Sequence, residues 1–185
     1  SGIRSQQGRG PFTVKALFIT QDDPMYVREF FEEFLPLELR GITIEGIVLA
    51  PPMGKKRLVD LIRQMWNFYG PVDFARMGFR YVTTRLRARL PAALRLNRTI
   101  TIPHVAARYD VPVVHVTDLN DPDFVDRVRN AGIDVLVSVA APQIIKAPLI
   151  EAPRVACINI HNAKLPMYRG MLPNFWQLYD GLRTV

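Results

Sequence analysis

Short, almost wholly apolar runs alternate along this chain with segments whose apolar residues recur every three or four positions. The apolar runs are typical of buried strands and lie at residues 14–20, 42–50, 111–116, 134–140 and 156–161. The helically spaced segments predict helices at residues 24–35, 102–110, 121–130, 142–150 and 172–179. Because the strands are apolar on both sides and alternate with helices, we expect them to pair in parallel and to be covered by helices on both faces.

This order predicts an α/β fold with a Rossmann-like open, mainly parallel sheet of five strands. Ligands of such sheets bind beyond the carboxyl ends of the strands, so Thr20, Ala140 and His161 should surround one cleft. The first strand is followed by residues 20–23, TQDD, and not by a G-x-G-x-x-G loop. The absence of this motif argues against a dinucleotide cofactor.

A basic segment separates the second strand from the rest of the fold. Residues 55–98 hold eleven Lys and Arg against Asp60 and Asp73, a local charge of +9 in a chain of net charge +7. Two apolar stripes broken at Gly70 and Pro71 predict two helices, so the segment is interpreted as a basic helical insertion. Its arginines either solvate amphipathic helices or face an anionic partner such as phosphate, nucleic acid or a lipid surface.

Composition narrows the possible classes of protein. The single Cys157 excludes an internal disulfide and a cysteine-based zinc cluster, and no metal site is expected. No apolar run reaches the roughly 20 residues of a membrane-spanning helix and the first residues do not resemble a secretory signal, so a cytoplasmic location is the default expectation. Residues 1–11 are interpreted as a flexible lead. His104 and His115 are expected to be structural.

Chemistry is concentrated in residues 157–170, CINIHNAKLPMYRG. Alternate side chains of a strand share a face, so Asn159 and His161 point the same way at the carboxyl end, while Ile158 and Ile160 should face the packed side. The loop that follows is shaped by Pro166.

Asn-x-His followed by a Leu-Pro loop that ends in Arg-Gly resembles the active-site stretch of the formyltransferase family, which includes methionyl-tRNA and glycinamide ribonucleotide formyltransferases. The resemblance extends from residue 14 onward, with the insertion at 55–98 as its main departure, and assigns residues 12–185 to the family's N-terminal domain. Residues 137–145, VSVAAPQII, are similar to the family's folate-pocket segment. Matching that segment places Pro142, Gln143, Ile144 and Ile145 along the pterin ring.

The resemblance implies transfer of a formyl group from 10-formyltetrahydrofolate to an amine. It gives Asn159 and His161 the task of stabilising the developing oxyanion, and His161 could also pass a proton. The family's third catalytic residue, an Asp some dozens of residues beyond the His, has no match, since Asp180 comes too early and is interpreted as a surface or capping residue. The chain is therefore expected to be a fragment with little or no transferase activity.

Three functions remain open at this point. An amino sugar or another small-molecule amine is slightly favoured as the acceptor. Methionyl-tRNA is the second possibility, because the +9 segment could contact phosphates. The third is a non-catalytic folate-binding or interaction module whose basic helices lie on a membrane surface or a partner protein, and a membrane is the least favoured partner. The sequence does not fix the oligomeric state.

Overall fold

Five parallel strands form one sheet in the part of the chain that the computed structural model describes, residues 13–23, 26–37, 39–51, 58–90, 101–168 and 173–182. The predicted lead at residues 1–11 lies outside the described residues. The strands are β1 (Val14–Thr20), β2 (Ile42–Leu49), β3 (Val113–His115), β4 (Val135–Val139) and β5 (Ala156–Ile160). The helices are α1 (Val27–Phe34), α2 (Leu58–Ala88), α3 (Ile102–Arg108), α4 (Pro122–Asn130), α5 (Ala147–Ile150) and α6 (Pro173–Tyr179).

The strands lie in the order β3-β2-β1-β4-β5, and every neighbouring pair is parallel. The chain therefore builds outward from the central β1 to β3, then crosses back to β4 and builds outward to β5. In sheets of this kind, ligands bind where the direction of building reverses, beyond the carboxyl ends of the central strands. The Rossmann-like α/β fold predicted from the sequence is confirmed.

Helices cover both faces of the sheet, and each face has its own core. On one face Leu17, Ile19 and Leu136 pack with Phe124 of α4 and Leu149 of α5. On the other face the residues of the core come from β1, β2, β4, α1 and α3, among them Phe18, Phe31, Ile47, Ile102 and Val105. Burying each of these large side chains contributes about 1.5–3 kcal/mol, so the apolar runs of the sequence stabilise the central strands from both sides.

The edge strand β5 differs from the prediction. Ile158 and Ile160 are 48% and 43% exposed, so the expectation that they face a packed side is wrong. They lie beside Val137 and Val139 of β4, which are buried in the core under α1 and α3. Because β5 is the outermost strand, the described helices do not extend over this part of the face, and strand alternation alone cannot reveal that.

Within the described residues 58–90, the basic insertion forms α2, whose backbone leaves the helical conformation at Gly70 (φ 73°, ψ 168°), directly before Pro71. The predicted pair of helices is thus present as two segments that meet at this break. Trp66 and Phe74 pack edge to face across it, with ring centroids 5.4 Å apart. In the described part of the chain, no helix has the length and hydropathy that a membrane crossing requires.

Charged groups hold the amino ends of the strands. The buried Lys15 donates from Nζ to the Ala131 carbonyl (3.1 Å) and lies 3.8 Å from the buried Glu45 carboxylate. Asp134 accepts a hydrogen bond from the Lys15 amide (2.8 Å) and pairs with Arg154 (2.6 Å). These contacts fix β1, β2 and β4 at the edge opposite the carboxyl ends, and we therefore assign them a structural role.

Candidate active site

Asn159 lies near the carboxyl end of β5 and is exposed, and His161 is the first residue after the strand. Asn159 lies opposite the buried Ser138 of β4 in the strand register. Cys157, two residues earlier on the same face, packs against the core beneath α4 and α5, and partial burial raises the pKa of its thiol. The sheet therefore holds the base of this face rigidly while the amide at its end meets solvent.

The ring of His161 is oriented by the loop that follows it. Nε2 of the half-buried imidazole lies 2.7 Å from the main-chain carbonyl oxygen of Tyr168. A carbonyl oxygen only accepts hydrogen bonds, so Nε2 must carry the hydrogen. In the neutral ring this leaves Nδ1 with its lone pair, and Nδ1 is then the nitrogen that can take up a proton.

The loop is in turn anchored on α6. The buried Gln177 donates from Nε2 to the carbonyl of Asn162 (3.0 Å), and the hydroxyl of Tyr168 donates to Asp180 (3.0 Å). Partial burial and the neighbouring Asp180 carboxylate raise the pKa of Tyr168. Asp180 itself is exposed, which confirms its interpretation as a surface residue. Sequence reasoning missed Tyr168 as the partner of His161, although it lies in the same motif.

The predicted folate-binding residues lie in a loop and not in a helix. The helix predicted at residues 142–150 is wrong for its first half, because α5 begins only at Ala147. The side chain of Asn120 holds the loop at two points, donating to the Ile144 carbonyl (3.0 Å) and accepting from the Lys146 amide (2.8 Å). A loop whose main chain bonds to a side chain in this way does not need helical hydrogen bonds.

The four residues of this loop are not equivalent. Ile144 is 85% exposed, Pro142 is half-buried, and Ile145 is half-buried against the core.

Gln143 is buried, and its side-chain amide bonds to three main-chain groups: the Leu119 amide (2.9 Å) and the carbonyls of Pro51 and Thr117 (both 2.8 Å). Its side chain therefore points into the protein, and any contact of Gln143 with a pterin must come from its main chain.

Ala140, directly after β4, has a positive φ of 50°. This conformation costs a non-glycine residue about 1–2 kcal/mol. We expect Ala140→Gly to raise the free energy of unfolding by about 0.5–1 kcal/mol and Ala140→Val to lower it by at least about 1 kcal/mol. Urea denaturation of the three proteins measures both changes, and a Val variant as stable as the Gly variant would contradict this explanation.

A third element reaches the same edge of the sheet. Arg85 of α2 binds Asp22, two residues beyond β1, through the carboxylate (2.5 Å) and the main-chain carbonyl (3.1 Å). Burial lowers the pKa of the Arg85 guanidinium, but hydrogen bonds to Asp22 and Tyr81 outweigh it, so that this pKa is raised. Among the described residues, no donor bonds to the buried second oxygen of Asp22, Oδ1. The basic helix is therefore tied to the carboxyl edge of the central strand.

These elements meet because β1, β4 and β5 are neighbours and run parallel. The loop at 140–146 after β4 therefore lies at the same edge of the sheet as Asn159 and His161, and the chain after β1 adds Asp22 to this edge. In the described residues, no group of three or more His, Cys, Asp or Glu side chains could hold a metal ion.

Comparison with known proteins bears on this edge of the sheet. A family model described as formyl transferase matches residues 90–184, which include the loop at 140–146, Asn159 and His161, and which exclude α2. The chain is 34% identical over 80 residues to methionyl-tRNA formyltransferase of Clostridioides difficile (strain 630), covering 43% of this chain and 26% of that protein. It is 39% identical over 77 residues to methionyl-tRNA formyltransferase of Geobacter sulfurreducens, covering 42% and 24%.

Solved structures match over more of the chain. Glycinamide ribonucleotide transformylase 1 from Symbiobacterium toebii superposes with a TM-score of 0.52 at 10% identity, covering 96% of this chain and 65% of that one. Glycinamide ribonucleotide transformylase 1 from Geobacillus kaustophilus also gives a TM-score of 0.52, at 13% identity, covering 91% of this chain and 68% of that one. At such identities the likeness shows the fold alone. The aligned region spans about a quarter of the length of the curated relatives.

Proposed function

Because the chain belongs to the formyl transferase family, we propose that it takes part in transferring a formyl group from 10-formyltetrahydrofolate to an amine acceptor. The observation that carries the proposal is the hydrogen bond from His161 Nε2 to the Tyr168 carbonyl, made beside the exposed Asn159. It fixes one tautomer of the ring and leaves Nδ1 as a proton acceptor on a residue two positions along the chain from the Asn159 amide. A histidine with a purely structural role would not require an exposed amide such as Asn159 two residues away at the carboxyl edge of the sheet.

The two side chains then have separate tasks. The folate supplies the formyl group on its N10, and attack by the amine places negative charge on the formyl oxygen. Asn159 donates its amide N–H to that oxygen, which stabilises the charge as it develops. His161 takes a proton from the amine through Nδ1, and the hydrogen bond to Tyr168 stabilises the imidazolium that results. The oxyanion then collapses, the bond between the formyl carbon and N10 breaks, and His161 returns the proton to N10, so that tetrahydrofolate leaves and Nδ1 regains its lone pair.

The loop at 140–146 suits a flat heteroaromatic ring. Ile144 presents an apolar side chain to solvent in the loop after β4, and the half-buried Pro142 lies two residues before it, whereas Ile145 packs against the core and fixes the loop. Asn120 and Gln143 hold the loop from behind, so it is preorganised before a ligand binds. These residues would contact the pterin through apolar surface and main-chain groups.

Binding of a stable analogue, 10-formyl-5,8-dideazafolate, tests this assignment by isothermal titration calorimetry. We expect Ile144→Asp to weaken binding about tenfold or more, because a carboxylate would lose its hydration against the ring. Ile150→Asp, at another exposed isoleucine on α5, is the matched control and should bind as the unaltered protein does. Absence of binding by the unaltered protein, or equal binding by both variants, would refute the placement of the pterin.

Methionyl-tRNA is the acceptor that the relatives favour, since the two enzymes named above carry that function in their names. The sequence slightly favoured an amino sugar or another small-molecule amine as the acceptor, and neither curated relative carries such an acceptor in its name. An assay that offers methionyl-tRNA and a nucleotide-linked amino sugar side by side, with labelled 10-formyltetrahydrofolate, decides between them. Label appearing only in the sugar product would reject methionyl-tRNA.

A further inference from the structure

The second segment of α2 has an apolar stripe that faces solvent. At about 100° per residue, Val72, Ala75, Phe79, Val82 and Leu86 fall within an arc of about 80° on the helix surface. All five are exposed, with Val72 at 78% and Phe79 at 74%. Phe74, Met77 and Arg85 on another side of the helix are half-buried. The half-buried side of the helix therefore carries both polar and apolar residues, whereas its most continuous apolar surface, the stripe, faces solvent.

Exposed arginines flank this stripe on both sides. Arg76, Arg80 and Arg87 border one side, and Arg89, just beyond the helix, borders the other. The stripe and its flanks belong to the segment of charge +9, and they lie outside the region matched by the family model. An outward apolar stripe between cationic residues is the pattern of a helix that lies in the interface of a lipid bilayer.

We infer that α2 binds an anionic lipid bilayer, with the stripe entering the acyl boundary and the flanking arginines contacting phosphate headgroups. A site for nucleic acid backbone would use the arginines but would leave the stripe exposed to water. A second copy of the chain would bring two segments of charge +9 together, and this repulsion opposes pairing through α2. An anionic lipid surface is the occupant that accounts for both the apolar and the charged residues.

The position of α2 gives this binding a consequence for the candidate active site. The hydrogen bonds between Arg85 and Asp22 join the helix to the carboxyl edge of β1. A bilayer bound to α2 would therefore contact a different side of the helix from the one that binds this edge, and the pairing of Arg85 with Asp22 would link the two. This inference does not depend on formyl transfer, because it rests on the exposure and charge of α2.

Co-sedimentation with vesicles tests the inference directly. The protein should pellet with vesicles of phosphatidylcholine and phosphatidylglycerol but not with phosphatidylcholine alone. The triple variant Phe79→Ser/Val82→Ser/Leu86→Ser should lower the partition coefficient at least about tenfold. The matched control removes three exposed apolar residues elsewhere, Leu37→Ser/Ile150→Ser/Val155→Ser, and should leave it unchanged.

The arginines are tested in the same assay. Arg76→Gln/Arg80→Gln/Arg87→Gln should weaken binding by about fivefold per arginine. The control Arg108→Gln/Arg127→Gln/Arg129→Gln removes the same charge elsewhere and should weaken binding much less.

Failure of the unaltered protein to bind anionic vesicles would overturn the inference. Binding that needs the arginines but survives loss of the stripe would overturn it too, since simple charge attraction would then explain it. A dimer in sedimentation velocity that Phe79→Ser/Val82→Ser/Leu86→Ser dissociates, without lipid binding, would identify a second copy as the occupant.

Discussion

Asn159→Ala is expected to lower kcat for formyl transfer by about 100- to 1000-fold, the usual effect of removing one donor to a developing oxyanion. The side chain is exposed at the end of β5, so its loss creates no cavity in the core. Asn159→Asp should be at least as damaging, because it keeps the size of the side chain but replaces the N–H donor by a negatively charged oxygen. The rates are measured in a form of the protein that catalyses formyl transfer. Binding of the folate analogue is measured in parallel.

The matched control is Asn162→Ala, an exposed amide three residues further along. Its main-chain carbonyl, and not its side chain, accepts the hydrogen bond from Gln177, so the loop should keep its shape and the rate should change less than about threefold. Analogue binding should be nearly unaffected in Asn159→Ala, because the oxyanion forms only during the reaction. If a variant of Asn159 kept a normal kcat, the proposal that the Asn159 amide stabilises the oxyanion would be wrong.

The strand pattern made the fold predictable. Each central strand is apolar on both faces because helices cover both faces, and this is visible in a run such as residues 14–20. The positions of Asn159 and His161 at the carboxyl edge followed from the same pattern, since parallel strands bring their carboxyl ends together. The buried strands are a local property of the sequence, and the common edge follows from the rule that parallel strands end on the same side of a sheet. Both can therefore be predicted from one sequence.

What the sequence did not reveal depends on contacts between distant residues. Ile158 and Ile160 look like core residues, and only their place on an edge strand exposes them. The Tyr168 carbonyl that orients His161 is a main-chain group and leaves no mark in the residue pattern. Phe79, Val82 and Leu86 were visible in the sequence as part of an apolar stripe, but its outward direction was not, because the pairing of Arg85 with Asp22 spans 63 residues.

Gln143 shows how such a contact changes the interpretation of a residue. The resemblance placed it along the pterin, whereas its side chain joins the chain after β2, the chain after β3 and the loop after β4. Gln143→Ala would leave the Leu119 amide and two carbonyls without their partner. Because an unpaired buried polar group costs about 1–3 kcal/mol, we expect the free energy of unfolding to fall by about 2–4 kcal/mol in urea denaturation.

Gln143→Glu separates hydrogen bonding from packing in the same measurement. The glutamate keeps the volume and can still accept from the Leu119 amide, but it places an oxygen where Nε2 donates to the Pro51 and Thr117 carbonyls. It should therefore be about as destabilising as the alanine. Ile144→Ala, at the exposed neighbouring position, should change stability by less than about 0.5 kcal/mol. If Gln143→Glu were as stable as the unaltered protein, the two carbonyls would not need their donor, and the loop would have to be held by Asn120 alone.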